Sequence, residues 1–281
     1  MRFEDKVALV TGGASGFGAE IARMFAREGA DVAIADLNEH GAQSVGAEIG
    51  NSALAVQCDV SVAADVSRAV EATRSRFGRV DIVVNNAGTT HRNKPMLDVT
   101  EAEFDRVYAV NVKSVFHMAH AVVPVMRAQG GGVIVNIGST AGLRPRPGLT
   151  WYNGSKGAVN LLTKSMAVEL ARDRIRVNGL APVAGDTPLL PSFLGSDTPE
   201  MRSKFLATIP LGRFAKPSDV AAAHCFCFRR KLSFLPALCS KSMAAGRYRM
   251  LRRGQNPLRA TVCDPRCRCR SCLNSEVIYR R

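Results

Sequence analysis

Val7-Ala-Leu-Val-Thr11 is an apolar, β-favouring run, and Gly12-Gly-Ala-Ser-Gly-Phe-Gly18 follows it at once, ahead of the amphipathic stretch Ala19-Glu-Ile-Ala-Arg-Met-Phe-Ala-Arg27. The order is strand, glycine-rich turn, helix. Such a turn aims backbone N–H groups and the positive end of a helix dipole at whatever occupies it, and glycines at 12, 16 and 18 let a pyrophosphate approach. A glycine-rich turn also serves strand-to-helix geometry alone, so its meaning depends on the rest of the chain.

The same alternation repeats outward from this unit. Strands are expected at about 6–11, 31–36, 53–57, 80–85, 132–138 and 175–180, and helices at about 16–29, 40–49, 62–77, 100–128 and 151–172. Thr100 followed by Glu103 forms a capping box at the start of the fourth helix. Six βα units imply an α/β fold, a single doubly wound parallel sheet of the Rossmann type. The stretch 182–210 contains Pro182, Pro188, Pro191, Gly195 and Pro199, so it is expected to form a loop with short helices that covers the site.

At 281 residues and 46% hydrophobic content the chain can bury a full core. Its net charge of +14 is concentrated in one region. Residues 224–281 carry 14 Lys and Arg against 2 Asp and Glu, and the body before them carries 24 against 22. Seven of the eight cysteines (Cys225, Cys227, Cys239, Cys263, Cys267, Cys269, Cys272) also lie in that segment, and only Cys58 precedes it. The near-neutral, cysteine-poor body reads as cytoplasmic. No signal peptide fits the N-terminus, and no apolar run approaches the length of a membrane span.

The second strand ends at Asp36, where a carboxylate accepts hydrogen bonds from an adenosine ribose and repels a 2′-phosphate. Neither Ser15 nor Leu37 supplies a compensating cation, so NAD is favoured over NADP; the plainer reading of Asp36 is a solvated strand-end carboxylate. Asp59-Val60 after the third strand and Asn85-Asn-Ala-Gly88 after the fourth end in the same crevice. The fifth strand, Val133-Ile-Val-Asn-Ile-Gly138, runs into Ser139, and Tyr152 and Lys156 follow at i and i+4 on one helix face. A nearby ammonium stabilises phenolate and lowers a tyrosine pKa toward neutrality, as an acid/base for an alcohol proton requires. Tyr-x-x-x-Lys also recurs by chance; its force lies in sharing a crevice with the turn, Asp36 and a strand-end serine.

Together these segments resemble the short-chain dehydrogenases/reductases, from Lys6 to about Ala223. The matching residues are Thr11-Gly-x-x-x-Gly-x-Gly18, Asp59-Val60, Asn85-Asn-Ala-Gly88, Asn111, Ser139, Tyr152-x-x-x-Lys156, and Arg176-Val-Asn followed by Pro182 and Thr187. The resemblance implies reversible hydride transfer between NAD(H) and a secondary alcohol or its ketone by a tetrad. Tyr152 would be the acid/base, and Ser139 would hydrogen-bond the substrate oxygen. Lys156 would bind the nicotinamide ribose, and Asn111 would hold a water in the proton relay. Cofactor contacts would come from Gly12, Ser15, Gly16, Phe17, Gly18, Asp36, Asp59, Val60, Asn86, Ala87, Gly88, Tyr152, Lys156, Val183 and Thr187. The family usually places Pro-Gly after the sixth strand. Here Pro182-Val-Ala-Gly-Asp-Thr187 looks like a sub-pattern among 3-oxoacyl-carrier-protein reductases and sugar or polyol dehydrogenases. A homotetramer or dimer is expected for the family.

His91, His117 and His120 lack carboxylates or cysteines at ligand spacing, so no metal is expected. Trp151 either edges the substrate pocket or covers the core. Arg144 and Arg146, between Gly142 and Gly148, read as a solvated loop, with contact to an acidic substrate carrier as the alternative.

Beyond Ala223 the helical periodicity stops, and the strand resembling Thr-Gly-x-x-Leu-x-Val-Asp-Gly-Gly that the family would place here is missing. Shifted codons for Pro236 to Ala245 permit Thr-Gly-Val-Val-Leu-Glu-Val-Asp-Gly-Gly, and the final G of the Met243 codon before an alanine GC forces a glycine. Residues 224–281 therefore read as out-of-frame translation, poorly ordered, leaving the edge of the sixth strand exposed and oligomer formation in doubt. The other readings are a dinucleotide-binding remnant without catalysis and a nucleic-acid or metal-binding tail built on Cys263-x-x-x-Cys-x-Cys-x-x-Cys272. That crowded spacing does not give two separated cysteine pairs, and no nucleic-acid or membrane partner is expected.

Overall fold

The computed structural model describes residues 1–227 and 239–241. They lie in the first of two units, Met1–Gly246; the second, Arg247–Arg281, lies outside the described residues, as does nearly all of the expected disordered tail. Strands β1 (Val7–Thr11), β2 (Asp31–Asp36), β3 (Ala53–Gln57), β4 (Ile82–Asn85), β5 (Gly132–Ile137) and β6 (Ile175–Ala181) fall within two residues of their expected bounds. Each expected helix forms: α1 (Gly16–Arg27), α2 (Glu39–Ile49), α3 (Ala63–Phe77), α4 (Glu101–Tyr108) with α5 (Ser114–Ala128), and α6 (Thr150–Leu170).

The sheet is parallel throughout, in the order β3-β2-β1-β4-β5-β6-β7. Both faces are covered. The central strands therefore read as continuous apolar runs rather than as apolar–polar alternation: Leu9, Ala33, Val83 and Ile134 pack toward one helical layer, and Val10, Ile34, Val84 and Val135 toward the other. The chain reverses direction of winding between β1 and β4, and in such sheets the crevice outside the carboxyl ends at that point receives the ligand.

Two expectations change. The single helix over 100–128 is interrupted: after α4, capped by the Thr100–Glu103 box, one wide turn, Ala109–Lys113, adds a residue to the helical repeat before α5. Such π-type turns carry local strain and gather at functional sites. The last strand is not wholly missing either. A three-residue strand, β7 (Cys239–Lys241), pairs Gly179, Leu180 and Ala181 with Cys239, Ser240 and Lys241. Strand pairing uses only backbone N–H and C=O groups, so a stretch without the family's side-chain pattern can still dock there. The preceding helix, α9 (Pro217–Cys227), runs four residues past the point where periodicity fades.

After β6 the chain forms two short helices, α7 (Leu190–Leu194) and α8 (Pro199–Leu206), as the prolines of 182–210 suggest. Leu190, Leu194, Val183, Ile209 and Phe214 give this cover its own small core. No helix among the described residues is long and apolar enough to cross a membrane.

Glycines separate tight packing from open space. A Cβ on Gly18 would collide with the Gly12 carbonyl oxygen, whereas one on Gly46, inside α2, meets its nearest atoms at 3.8 Å. Gly18→Ala is expected to lower unfolding stability by about 1–3 kcal/mol through overpacking, and Gly46→Ala to raise it by about 0.5–1 kcal/mol through helix propensity. Urea unfolding midpoints at matched slopes distinguish the two; equal shifts would refute the packing role.

Candidate active site

The turn after β1 is stitched to the turn after β4. The Thr11 hydroxyl oxygen accepts from the backbone N–H of Asn86 and of Ala87, each at 3.1 Å. The Asn86 amide donates to the Thr11 and Gly12 carbonyls at 2.9 and 3.0 Å. Gly12 has φ +64°, and a Cβ there would stand 2.8 Å from Ala87 Cα. Close packing of the turn therefore requires glycine at both Gly12 and Gly18. Gly16, at φ +53°, instead faces Thr187 and Pro188.

Asp36 does two jobs at the end of β2. One carboxylate oxygen accepts from Ala14 N–H and the other from Asn38 N–H, both at 2.9 Å, which holds the glycine turn against the second strand. Each oxygen keeps a further lone pair toward a groove of about 390 Å³ that Gly12, Ser15, Asp59, Ala87 and Thr187 also line. One oxygen of the Asp59 carboxylate, Oδ1, accepts from both Ser61 N–H and hydroxyl at 2.8 and 2.7 Å, which ties the side chain to its own turn at the groove's edge.

A second cavity, of about 110 Å³, opens beside the first and shares Phe17, Asn86, Gly88 and Thr187 with it. Ser139, Tyr152 and Lys156 line it, all of them buried. Ser139 follows β5 and accepts from Ala141 N–H at 3.1 Å, which fixes its rotamer. Tyr152 and Lys156 sit one turn apart on α6, as their spacing requires. The Lys156 ammonium donates to the Ile137 carbonyl at 2.8 Å.

The acid–base balance differs from expectation. Burial pushes the Tyr152 phenol above its ordinary value, and the Ser139 hydroxyl offsets only part of this. Burial likewise pulls Lys156 down to about 8. Lys156, turned toward a carbonyl, is not among the groups that lower the phenol; desolvation outweighs the cation one turn away.

Asn111 lies on the wide turn between α4 and α5, buried and behind the cavities rather than in their walls. Its side-chain oxygen accepts from Thr89 N–H at 2.8 Å, and its amide donates to Thr89 C=O and to the Ser155 hydroxyl, each at 2.9 Å. Ser155 in turn donates to the Tyr152 carbonyl at 2.8 Å. Asn111 therefore connects the loop after β4 to the first turn of α6. A Cβ on Gly88 would lie 3.3 Å from Lys156 Nζ and 3.4 Å from Asn111 Oδ1, so these two polar atoms converge on one spot.

Every expected site residue thus borders or supports the two cavities, with Gly18 and Asn111 in supporting positions. Trp151 lines neither cavity and belongs to none of the buried clusters: its indole N–H donates to the Met96 carbonyl at 3.2 Å and its ring meets Phe104 edge-on. His117 and His120 cluster with Phe116 on α5. Sequence reasoning did not single out Phe193 and Phe205, which wall the catalytic cavity from α7 and α8; aromatic residues in a proline-rich cover are their one visible signal.

A strand-end serine, a tyrosine–lysine pair on one helix turn and a glycine turn at the sheet's switch point are the marks of a dehydrogenase crevice. The short chain dehydrogenase family profile matches residues 6–194, and the chain belongs to this family of oxidoreductases. It is 53% identical over 243 residues to 4-formylbenzenesulfonate dehydrogenase of Comamonas testosteroni, covering 85% of this chain and 96% of that protein. It is 40% identical over 229 residues to 7alpha-hydroxysteroid dehydrogenase of Escherichia coli K12, covering 80% and 88%. The crystal structure of 3-ketoacyl-(acyl-carrier-protein) reductase from Brucella melitensis complexed with NADH superposes with a TM-score of 0.79 at 46% identity, covering 85% of this chain and 98% of that one.

The depressed Lys156 pKa predicts a pH dependence of stability. Between about 8 and the ordinary lysine value near 10.4, the folded chain holds fewer protons at Lys156 than the unfolded chain, so its contribution to stability rises with pH in that window. Relative to Lys156→Met, the wild-type chain is expected to gain stability from pH 8 to pH 10 in chemical unfolding. A difference that stays flat or falls over that range would refute the desolvated lysine.

Proposed function

We propose that this chain transfers hydride between NAD(H) and a secondary alcohol or its ketone, with Tyr152, Ser139, Lys156 and Asn111 as the working residues. The observation that carries this reading is the burial of Tyr152, Ser139 and Lys156 together in one cavity that merges with the groove beside Asp36. The residues present fit a dinucleotide: a turn with no room for side chains, a helix N-terminus behind it, and a strand-end carboxylate with lone pairs to spare. Gly12, Ser15, Gly16 and Phe17 would hold the pyrophosphate side, and Asp36 the adenosine ribose. Asp59, Val60 and Ala87 would line the path between. Asn86, Gly88, Val183 and Thr187 would border the nicotinamide end, and Lys156 would reach its ribose. When bound, the nicotinamide accepts or supplies the hydride.

The chain's own part is proton transfer and orientation. Tyr152 Oη takes the proton of the substrate hydroxyl in oxidation and returns it in reduction. Ser139 hydrogen-bonds the same substrate oxygen and fixes it against Tyr152. With its pKa lowered to about 8, Lys156 would release a proton as the ammonium and take one up as the neutral amine near that pH, and Asn111 would hold the loop and helix between which a water relay would run. The raised phenol pKa favours the neutral tyrosine, the form that donates in reduction.

A second reading, dinucleotide binding without turnover, is favoured by the absence from residues 224–281 of the sequence pattern that the family places in its last strand. The division behind it takes residues 1–223 as the enzyme and 224–281 as out-of-frame sequence; resequencing would locate an inserted or deleted base near codon 224, and an intact frame overturns that division.

Following NADH absorbance across ketones and polyols, Tyr152→Phe is expected to lose about 10²–10⁴-fold in kcat while NADH binding by fluorescence is retained. NADH binding with no turnover by the wild-type chain would select the second reading. NADH should be preferred over NADPH by about a hundredfold, the factor for ~3 kcal/mol of like-charge penalty at Asp36, and Asp36→Ser should erase most of that preference. Equal use of both cofactors by the wild type would overturn the role of Asp36.

A further inference from the structure

Arg146 reaches the catalytic cavity from the loop between β5 and α6, and its surroundings leave its charge unanswered. Its guanidinium lies 4.4 Å over the Phe205 ring and donates one hydrogen bond, to the Thr208 hydroxyl at 2.9 Å. Among the described residues no carboxylate lies within ion-pair distance of it. Neighbouring arginines of the same cover differ: Arg202 pairs with Asp197 and Asp186, and Arg213 with Asp219. Arg146 is half-buried, and burial pulls its pKa below the ordinary value. A half-buried guanidinium that lines the cavity with most of its five N–H donors uncommitted offers them to an anion there.

The position is built rather than incidental. The Arg146 carbonyl accepts from the amide of Asn153, the residue after Tyr152, at 2.8 Å. The Asn93 amide spans to the Pro147 and Phe193 carbonyls, and Gly148, at φ +73°, has no room for a Cβ against the Asn93 side chain. The loop is therefore fastened both to the catalytic helix and to the cover. Between Arg146 and the tyrosine stand aromatic walls: Phe193 meets Tyr152 edge-on at 5.6 Å and Phe205 at 5.7 Å.

We infer that Arg146 is a specificity-determining residue that binds an oxyanion on the substrate, a carboxylate or sulfonate carried on a flat aromatic or apolar body whose carbonyl or alcohol faces Tyr152. This rests on the oxidoreductase reading above and narrows its substrate class. A planar guanidinium matches such groups with two parallel hydrogen bonds, and the rings on either side accept a flat body. The solvated-loop reading holds for Arg144, which is exposed.

The test uses the full chain and two ketones that differ only in charge, 4-acetylbenzoate and 4-acetylbenzamide. The wild type should favour the benzoate at least tenfold in kcat/KM. Arg146→Gln should remove that preference while changing the benzamide less than threefold, Arg146→Lys should keep part of it, and Arg144→Gln should leave both rates unchanged. Equal loss on both ketones in Arg146→Gln, or no preference in the wild type, overturns the inference while leaving the oxidoreductase reading intact. A second arm titrates benzoate and benzenesulfonate, with benzamide as the neutral control, into the NADH-loaded chain by fluorescence. Should neither ketone turn over, Arg146-dependent binding of either anion upholds the anion site, and the oxidoreductase reading then stands or falls separately on the panel of ketones and polyols above. Should neither anion bind better than benzamide, the anion site falls; which of the two anions binds tells carboxylate from sulfonate.

Discussion

Where β1 and β4 lie side by side and the chain turns outward in opposite directions, Asn86 and Ala87 donate hydrogen bonds to Thr11 across the gap. The rest of the crevice depends on this contact. It pulls the two turns so close that Gly12 and Gly18 have no space for a side chain, and the N-terminus of α1 is thereby fixed over the strand ends. Asp36 secures the same turn from the other side through Ala14 N–H. A carboxylate that would select a cofactor is thus also part of the scaffold, so substitutions there disturb binding and turn geometry together.

A second set of buried polar links positions the catalytic helix. The Asn85 amide donates to Asn136 at 2.8 Å, and Asn136 donates to Thr163 at 3.0 Å, running from β4 through β5 to α6. Asn111 and Ser155 form a parallel route from the wide turn of α4–α5 to Tyr152. Each link is satisfied, which is the condition under which a buried polar network rigidifies a site rather than weakening it. Tyr152 and Lys156 are held from two directions, which fixes how their spacing along α6 presents them to the cavity.

The parts of this arrangement legible in the sequence are those with a period or a spacing. Strand and helix alternation, the Thr100–Glu103 box and the Tyr152–Lys156 interval all follow from local geometry, and they appear where expected. What was not legible depends on distance across the fold. Nothing in Ala109-Val-Asn-Val-Lys113 announces a wide turn, and the partners that Asn111 meets there, Thr89 and Ser155, lie 22 and 44 residues away in the chain. The sign of the Tyr152 shift was missed for the same reason: spacing puts a lysine nearby, but only the tertiary structure shows how deeply both are buried and that the ammonium turns to Ile137. Glycine reads as freedom in sequence, while Gly18 is needed here for lack of space.

The walls of the cavity around Tyr152 come from two separate layers of the fold. Ser139 follows β5, and Tyr152 and Lys156 stand on α6, elements pinned by the sheet. Arg146, Phe193 and Phe205 come instead from the loop before α6 and from α7 and α8, whose small core of Leu190, Leu194 and Phe214 is separate from the main one. Changes in that core can therefore reshape the cavity at little expense to the sheet. The two layers still meet at Asn93 and Asn153, which tie the Arg146 loop to the cover and to the helix turn carrying Tyr152. A substrate group bound at Arg146 would act through those ties on the orientation of the tyrosine. Binding energy gained away from the reacting carbon can in this way be realised as alignment at it.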